Sequence, residues 1–489
     1  MPLNLITEQW IPVVDKFGSR RIIAPWEMAD MSLQRPDWPR GDLNIACLEL
    51  LVGLVFMADP PASRDDWVAR VQPDPERLKG KLAPYAPAFN LTGEGPLFLQ
   101  DLEPLDGSPN PVDMLFIDSA GANTAKKNAD LMVHRDRYRG LDLPLAAMAL
   151  HTFQAHAPSG GAGNRTSMRG GGPMVTLVDP GQGLWSIIWA NVPNGMPAAL
   201  SELPWMNPTR VSDNNQVVLP PQGQRFSVEA FFGVPRRLHL VVEGDVITGV
   251  VQKPYGTNYG IWMHPLSPYY RIKAGEEPLP VHPKAGSFGY RNWLGILAQS
   301  RDAELAERAH CVNLWEQRSR KEASVILAGW SMDNMKPRDF VHSVQPLIDL
   351  PEDETICLIG LVTAADNAAI ALRGSLVPVL AKGEGLEAER EAFYAATEPA
   401  FVGCLAALKM GESIEEVYAC WLKVLRSEVL SRFDALSLSA IDQRDTSDIE
   451  KIVNARRALT GTFAGYGKFG RLLFEALEKE PPKAKGKAA

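Results

Sequence analysis

The sequence predicts a mixed α+β protein: a large irregular N-terminal domain over residues 1–350, then an antiparallel four-helix bundle over 351–480. Three observations predict it. Prolines are frequent up to about residue 350 and sparse beyond it. Before that point the apolar stretches are short and separated by Pro/Gly-rich connections such as PNGMP and LPPQGQ. After it, apolar residues recur at helical spacing in four long segments.

Taken in order, Leu5, Ile6, Trp10, Ile11, Val13 and Val14, then Ile22 and Ile23, predict two short strands joined by a turn at Phe17-Gly18-Ser19. Leu43 to Met57 is apolar enough for a buried helix. Strands are predicted at Met174–Val178, Trp185–Ala190 and Leu238–Val251. The first bundle helix puts Ile356, Ile359, Val362 and Leu372 near one face, with a kink expected at Pro378. The second runs from about Leu386 to Leu408, after the KGEG break. The third opens on a Ser413-Ile414-Glu415-Glu416 capping box and carries Val417, Trp421, Val424 and Phe433. The fourth opens on a second box, Ser447-Asp448-Ile449-Glu450, with Ile452, Leu459, Phe463, Tyr466, Leu473 and Leu477 along one stripe. Gly461, Gly465, Gly467 and Gly470 fall inside that stripe and predict close helix packing rather than a dinucleotide fingerprint. The tail, 481–489, reads as disordered.

Composition narrows the function. A chain of 489 residues that is 45% hydrophobic and 22% charged is an ordinary globular composition. Its longest apolar run, Ile356 to Ala365, is about half of the roughly 20 residues a membrane span needs, so no membrane association is expected. The start has no secretory pattern, and the five cysteines (Cys47, Cys311, Cys357, Cys404, Cys420) form no CxxC pair. A cytoplasmic location is expected, with neither a disulfide framework nor a thiolate zinc site. At a net charge of −8, binding to phosphates requires a local basic patch or basic partner subunits.

Such a patch exists. Between residues 120 and 175 seven Lys and Arg (126, 127, 135, 137, 139, 165, 169) face three Asp, giving +4. Within it, HAPSGGAGNRTSMRGGGP (156–173) holds six glycines and two arginines. Glycine lets backbone amides meet phosphate or base edges where a side chain would clash. No Gly-Lys-Ser/Thr follows, so the stretch is not a nucleotide-hydrolysing P-loop. On pattern alone it is either a ligand-approaching loop or a plain surface loop, and the charge run is either a binding patch or a solvated face. His134 and Asp136, with His151 and His156, raise a metal-dependent nuclease as the enzyme alternative, although their spacing fits no compact metal motif. A purely structural scaffold is the third reading.

Asn4-Leu5-Ile6, Trp10-Ile11-Pro12-Val13, Gly160-Gly161-Ala162-Gly163 leading to Met168-Arg169-Gly170-Gly171, and His264-Pro265-Leu266-Ser267-Pro268 before Lys273-Ala274-Gly275-Glu276 together resemble the CasA large subunit of type I-E CRISPR Cascade, over nearly the whole chain in order. The resemblance implies a non-catalytic subunit without cofactor in RNA-guided interference, where the guide reads the target by pairing and protein reads a short flanking motif, the PAM. It implies that Gly160, Gly161, Gly163 and Lys273 enter the PAM minor groove and that a wedge, here assigned to Asn334 with Met332 and Met335 as apolar inserts, parts the strands. Lys126, Lys127 and Asn128 correspond to a loop on guide RNA or PAM-proximal DNA, with Arg165 and Arg169 expected to add phosphate contacts. Partners implied are the crRNA-containing Cascade subunits (backbone, small subunit and handle-binding subunits), double-stranded target DNA and a helicase-nuclease. Some relatives carry cysteine pairs consistent with zinc before the lysine; Leu238 to Lys253 has none, so no metal is expected.

Overall fold

The computed structural model describes the chain except residues 1–2, 120, 122–125, 129–132, 162, 285, 287, 299–303, 320, 348–351, 381–382, 440 and 482–489; the expected disordered tail lies outside the described residues but for Pro481. Two compact units form. One comprises Met1–Ala285 with Glu304–Asp349, the other Gly286–Ala303 with Leu350–Ala489.

The first unit is built from small sheets around buried helices. Ile11–Asp15 lies between Arg20–Ile23 and Leu33–Pro36, and the Asp15 carboxylate accepts from the amides of Phe17 and Ser19 to close the expected turn. The predicted buried helix runs over Gly41–Ala58 and is covered on nearly every side, which is why its apolar residues show no stripe. It is long and apolar enough to cross a membrane, as is Asp353–Ser375, but most of each is covered by protein. Against it packs Leu143–His156, capped by the Asp142 carboxylate on the Leu145 amide.

A central sheet joins Val175–Asp179 to a long hairpin, Ala323–Asp333 and Lys336–Leu347. A second hairpin, Arg237–Glu243 and Val246–Lys253, resolves the predicted Leu238–Val251 strand region into two strands turning at Gly244. The strand expected at Trp185–Ala190 is instead a helix, Leu184–Asn191. A six-residue stretch with five apolar residues and one serine fits either period. Helix wins because Gly183, at φ +94°, turns the chain sharply, Trp185 stacks on Trp189 one turn on, and Asn191 bonds both the Val178 backbone and the Ile187 carbonyl.

The second unit contains the helices Glu352–Ser375, Glu384–Lys409, Ile414–Ser437, Thr446–Thr462 and Gly467–Ala476. Pro378 lies beyond the end of the first rather than kinking it. The Ser413 capping box forms as predicted. The fourth arm differs: its cap is Asp445, whose carboxylate takes the Asp448 amide, leaving Ser447 inside the first turn. The arm also breaks in two, because Gly465 and Gly467 adopt φ of +83° and +76° around an exposed Tyr466. Gly470 has the expected close-packing role, a Cβ there lying 2.8 Å from the Thr462 carbonyl oxygen, whereas Gly461 and Gly467 have room for one. Trp421 centres the core, donating to the Leu361 carbonyl and flanked by Phe401 and Tyr290, which stack on each other. Tyr290 belongs to Gly286–Ala303, so a segment preceding the helices completes their core.

Candidate nucleic-acid interface

Structure divides the six glycines into two groups with different work. Gly160, Gly161 and Gly163 form a tight turn closed by hydrogen bonds between Gly160 and Asn164 and between Asn164 and Gly161. Gly161 and Gly163 take φ of +67° and +81°. A side chain on Gly163 would strike Tyr255 and Pro254, whereas Gly161 is exposed and has open space where its Cβ would be. Gly170, Gly171 and Gly172 are packing residues. A Cβ on them would fall within 3 Å of His282, of Pro158 and of Trp330, respectively.

Those packing contacts gather three elements. Gly172 abuts Trp330 and Met332 in the first strand of the long hairpin. Gly170 abuts His282, and the Met174 amide donates to Val281. Val281 and His282 follow Leu279–Pro280, the strand that returns from the Lys273 turn to pair with Tyr269–Tyr270. Lys273 is exposed on that turn, closed by the Glu276 amide on the Lys273 carbonyl with Gly275 at φ +81°. The glycine loop, the lysine turn and the hairpin are thus joined through one stretch, Gly170–Met174.

The hairpin ends in a two-residue turn with Asn334 and Met335 at φ +48° and +62°, the left-handed pair that matches strand twist. Asn334 is exposed and donates to the Asp333 carboxylate, which also pairs with Arg338. Met335 is exposed beside it. Met332, named as a second insert, is not at the tip: its methyl faces Gly172.

Lys126, Lys127 and Asn128 are all exposed, Asn128 accepting from Arg135. Arg137, counted in the basic patch, is instead a strut: its guanidinium makes a two-toothed bond to Asp118, which Arg40 also contacts. Burial opposes ionisation of Asp118, but the two arginines outweigh it and lower its pKa. Arg165 is half-buried and donates to the Ser212 side chain and carbonyl.

The expectation that Arg169 meets phosphate is overturned. Arg169 is buried and pairs at 2.8 Å with Glu49, itself buried in the helix Gly41–Ala58. Glu49 also meets the His156 ring at 2.7 Å. Burial raises the Glu49 pKa, yet Arg169, and after it His156, bring it well below the usual carboxylate range. Burial pushes His151 down to about 4 and His264 well down, so both are neutral at pH 7. His134 and Asp136 are exposed, in contrast to the buried His151 and His156, so the four are not gathered into one ligand set.

Sequence reasoning missed two anchors. Arg236 is buried with its guanidinium on the Arg165 and Pro158 carbonyls, tying both arms of the glycine loop, and burial lowers its pKa to about 10. Nothing in the sequence marks it. Glu49 carried a signal: a carboxylate inside an otherwise apolar helix requires a buried cation.

The described residues form a mixed α+β unit bearing three joined loops and a helical unit, a fold shared with solved CRISPR-associated proteins. The chain matches the family model of CRISPR-associated protein Cse1 (CRISPR_cse1) over residues 4–431 and belongs to that family. Among solved structures it is similar to Thermobifida fusca Cse1 (TM-score 0.72, 18% identity, 98% of each chain covered) and to Thermus thermophilus CasA (TM-score 0.71, 18% identity, 97% of this chain and 100% of that one). A third, described as a CRISPR RNA-guided surveillance complex, matches with a TM-score of 0.68 at 15% identity over 94% of this chain and 99% of that one. The names CasA and Cse1 are used together for one of the Thermus structures, so the resemblance read from the sequence stands.

Proposed function

We propose that this chain is the non-catalytic large subunit of a type I-E Cascade complex and reads the PAM of double-stranded DNA from the minor groove. Gly160, Gly161 and Gly163 supply bare backbone, and Lys273 supplies a cation for the groove acceptors that A·T and T·A pairs present alike. Asn334, with Met335, is the wedge that begins strand separation. Lys126, Lys127, Asn128 and the free face of Arg165 meet phosphate of DNA or guide RNA, and the opened complex recruits a helicase-nuclease. The observation that carries this reading is the exposed, left-handed Gly161 turn with open space around it, joined through Gly170–Met174 to the lysine turn and the hairpin. The groove is about 6 Å wide, so backbone fits where a bulky side chain would not.

The test is PAM-dependent duplex binding by the reconstituted complex. Lys273→Ala removes one charged hydrogen bond, about 1.5–3 kcal/mol, and is expected to weaken PAM-duplex binding roughly ten- to a hundred-fold. Gly161→Asn, which tolerates the left-handed turn but adds bulk, is expected to do the same while the protein stays folded. Unchanged discrimination between PAM and non-PAM duplex in both variants refutes the reading.

A further inference from the structure

The Glu49 cluster has a placement that stability alone does not account for. A buried ion pair is a weak source of stability compared with apolar packing of the same volume, but it is directional. Here direction falls on the loops. His156 is the last residue of its helix, immediately before the glycine loop, and Arg169 stands just after the loop. Both reach the one carboxylate, His156 at Oε2 and Arg169 at Oε1. The neck between them is closed by the Ser167 amide on the Ala157 carbonyl and the Gly172 amide on the His156 carbonyl.

Arg169 extends the connection further. The nitrogen that meets Glu49 also donates to the Ser267 hydroxyl at 3.1 Å, and that hydroxyl donates to the Met174 carbonyl. Ser267 lies two residues before Tyr269–Tyr270, the strand that leads into the Lys273 turn. The Thr176 amide on the Leu266 carbonyl and the Val281 amide on the Pro268 carbonyl fix the same segment. The glycine loop and the lysine turn, far apart in sequence, therefore share one buried anchor.

We infer that Glu49 is a positioning residue for PAM reading: through His156 and Arg169 it locks the neck of the glycine loop and, through Arg169 and Ser267, sets the lysine turn relative to it, so that the two reading elements are held as one rigid pair. Glu49 touches no nucleic acid in this scheme. The inference rests on the proposed PAM reading only for its functional consequence; the mechanical coupling stands separately.

Hydrogen–deuterium exchange on the full-length subunit tests the coupling, and duplex binding by the reconstituted complex tests its use. Arg169→Met alone leaves a buried uncompensated carboxylate and can unfold the unit, so the working variant is the neutral pair Glu49→Gln with Arg169→Met, with Glu49→Gln alone as the milder companion. Expected is at least a tenfold rise in exchange over 157–168 and over 271–278, with protection of the Ile11–Asp15 sheet retained, and at least a tenfold loss in the ratio of PAM to non-PAM binding. Glu49→Gln, which can still bond both partners as a neutral group, is expected to give smaller rises in the same two segments. Native exchange at either segment in the double variant overturns the coupling. If the double variant loses the Ile11–Asp15 protection, Glu49→Gln decides: a rise confined to the two segments supports the coupling, and no rise overturns it. Looser segments with an unchanged PAM ratio uphold the coupling and overturn the PAM reading instead.

Discussion

Replacing Gly172 and Gly161 by alanine separates a glycine that packs from one that stands in open space. At Gly172 the added Cβ would lie 2.5 Å from the Trp330 carbonyl oxygen, 2.7 Å from the Trp330 Cβ and 2.9 Å from the Met332 methyl. The methyl can swing away. The Trp330 backbone has less freedom, because it pairs with Phe340 in the Lys336–Leu347 strand and follows directly on Ser324–Ala328, which is laddered on both sides. Alanine at φ +62° adds about 1–2 kcal/mol of backbone strain, and forced overpacking about 1–3 kcal/mol more, so Gly172→Ala is expected to cost about 2–5 kcal/mol. Gly161→Ala carries the same strain at φ +67° but meets nothing within 4 Å, so its cost stays at about 1–2 kcal/mol. Urea unfolding of the full-length subunit, with unchanged slope, measures the difference directly. Equal costs at the two sites, or a neutral Gly172→Ala, would refute the division of labour.

Three further outcomes are expected. Lys126→Ala and Lys127→Ala should each flatten the log–log salt dependence of duplex binding by about 0.9 without loss of stability, whereas Arg169→Ala should cost about 3–5 kcal/mol of stability by stranding Glu49; a flattened slope in a fully stable Arg169→Ala protein would return that arginine to the phosphate surface. His151 has a folded pKa of about 4 against 6.5 unfolded, so between those values the unfolded chain binds a proton the folded one refuses, and acidification from pH 6.5 to 4 should remove up to about 3 kcal/mol, His264 acting with the same sign. Melting temperatures that are flat over that window would contradict the burial of neutral histidines. Trp421→Ala should destabilise the helical unit by about 3–5 kcal/mol, read as an early loss of helix by circular dichroism; a native melt would mean the aromatic centre is dispensable.

What could be read from the sequence depended on whether the signal was local. The Ser413 box and the Phe17-Gly18-Ser19 turn were legible because cap and turn chemistry act within a few residues. Ser447 misled because an equally good cap, Asp445, stood two residues upstream, and pattern alone does not rank adjacent caps. Trp185–Ala190 was illegible because helix and strand differ there only through Gly183 and through Asn191 bonding to a strand elsewhere in the unit. At the candidate site, the glycine loop stood out locally, whereas Lys273 was singled out only by the family resemblance. The conversion of Arg169 from surface cation to buried partner depended on Glu49, far upstream in the chain, and the burial of Arg236 on carbonyls depended wholly on tertiary placement.

The two-residue turn at Asn334–Met335 makes the long hairpin behave as a ruler. With no slack at its end, how far the tip projects is fixed by strand length alone. Inserting two residues into each strand would carry Asn334 outward by about 6.6 Å with the same face presented. Inserting a single residue into one strand would instead reverse which face its outer side chains present, unless a bulge absorbed it, as one does between Ser331 and Met332. The projection of the tip is therefore quantised, and could be stepped by paired two-residue insertions beyond Met332 while Trp330, beside Gly172, stays untouched.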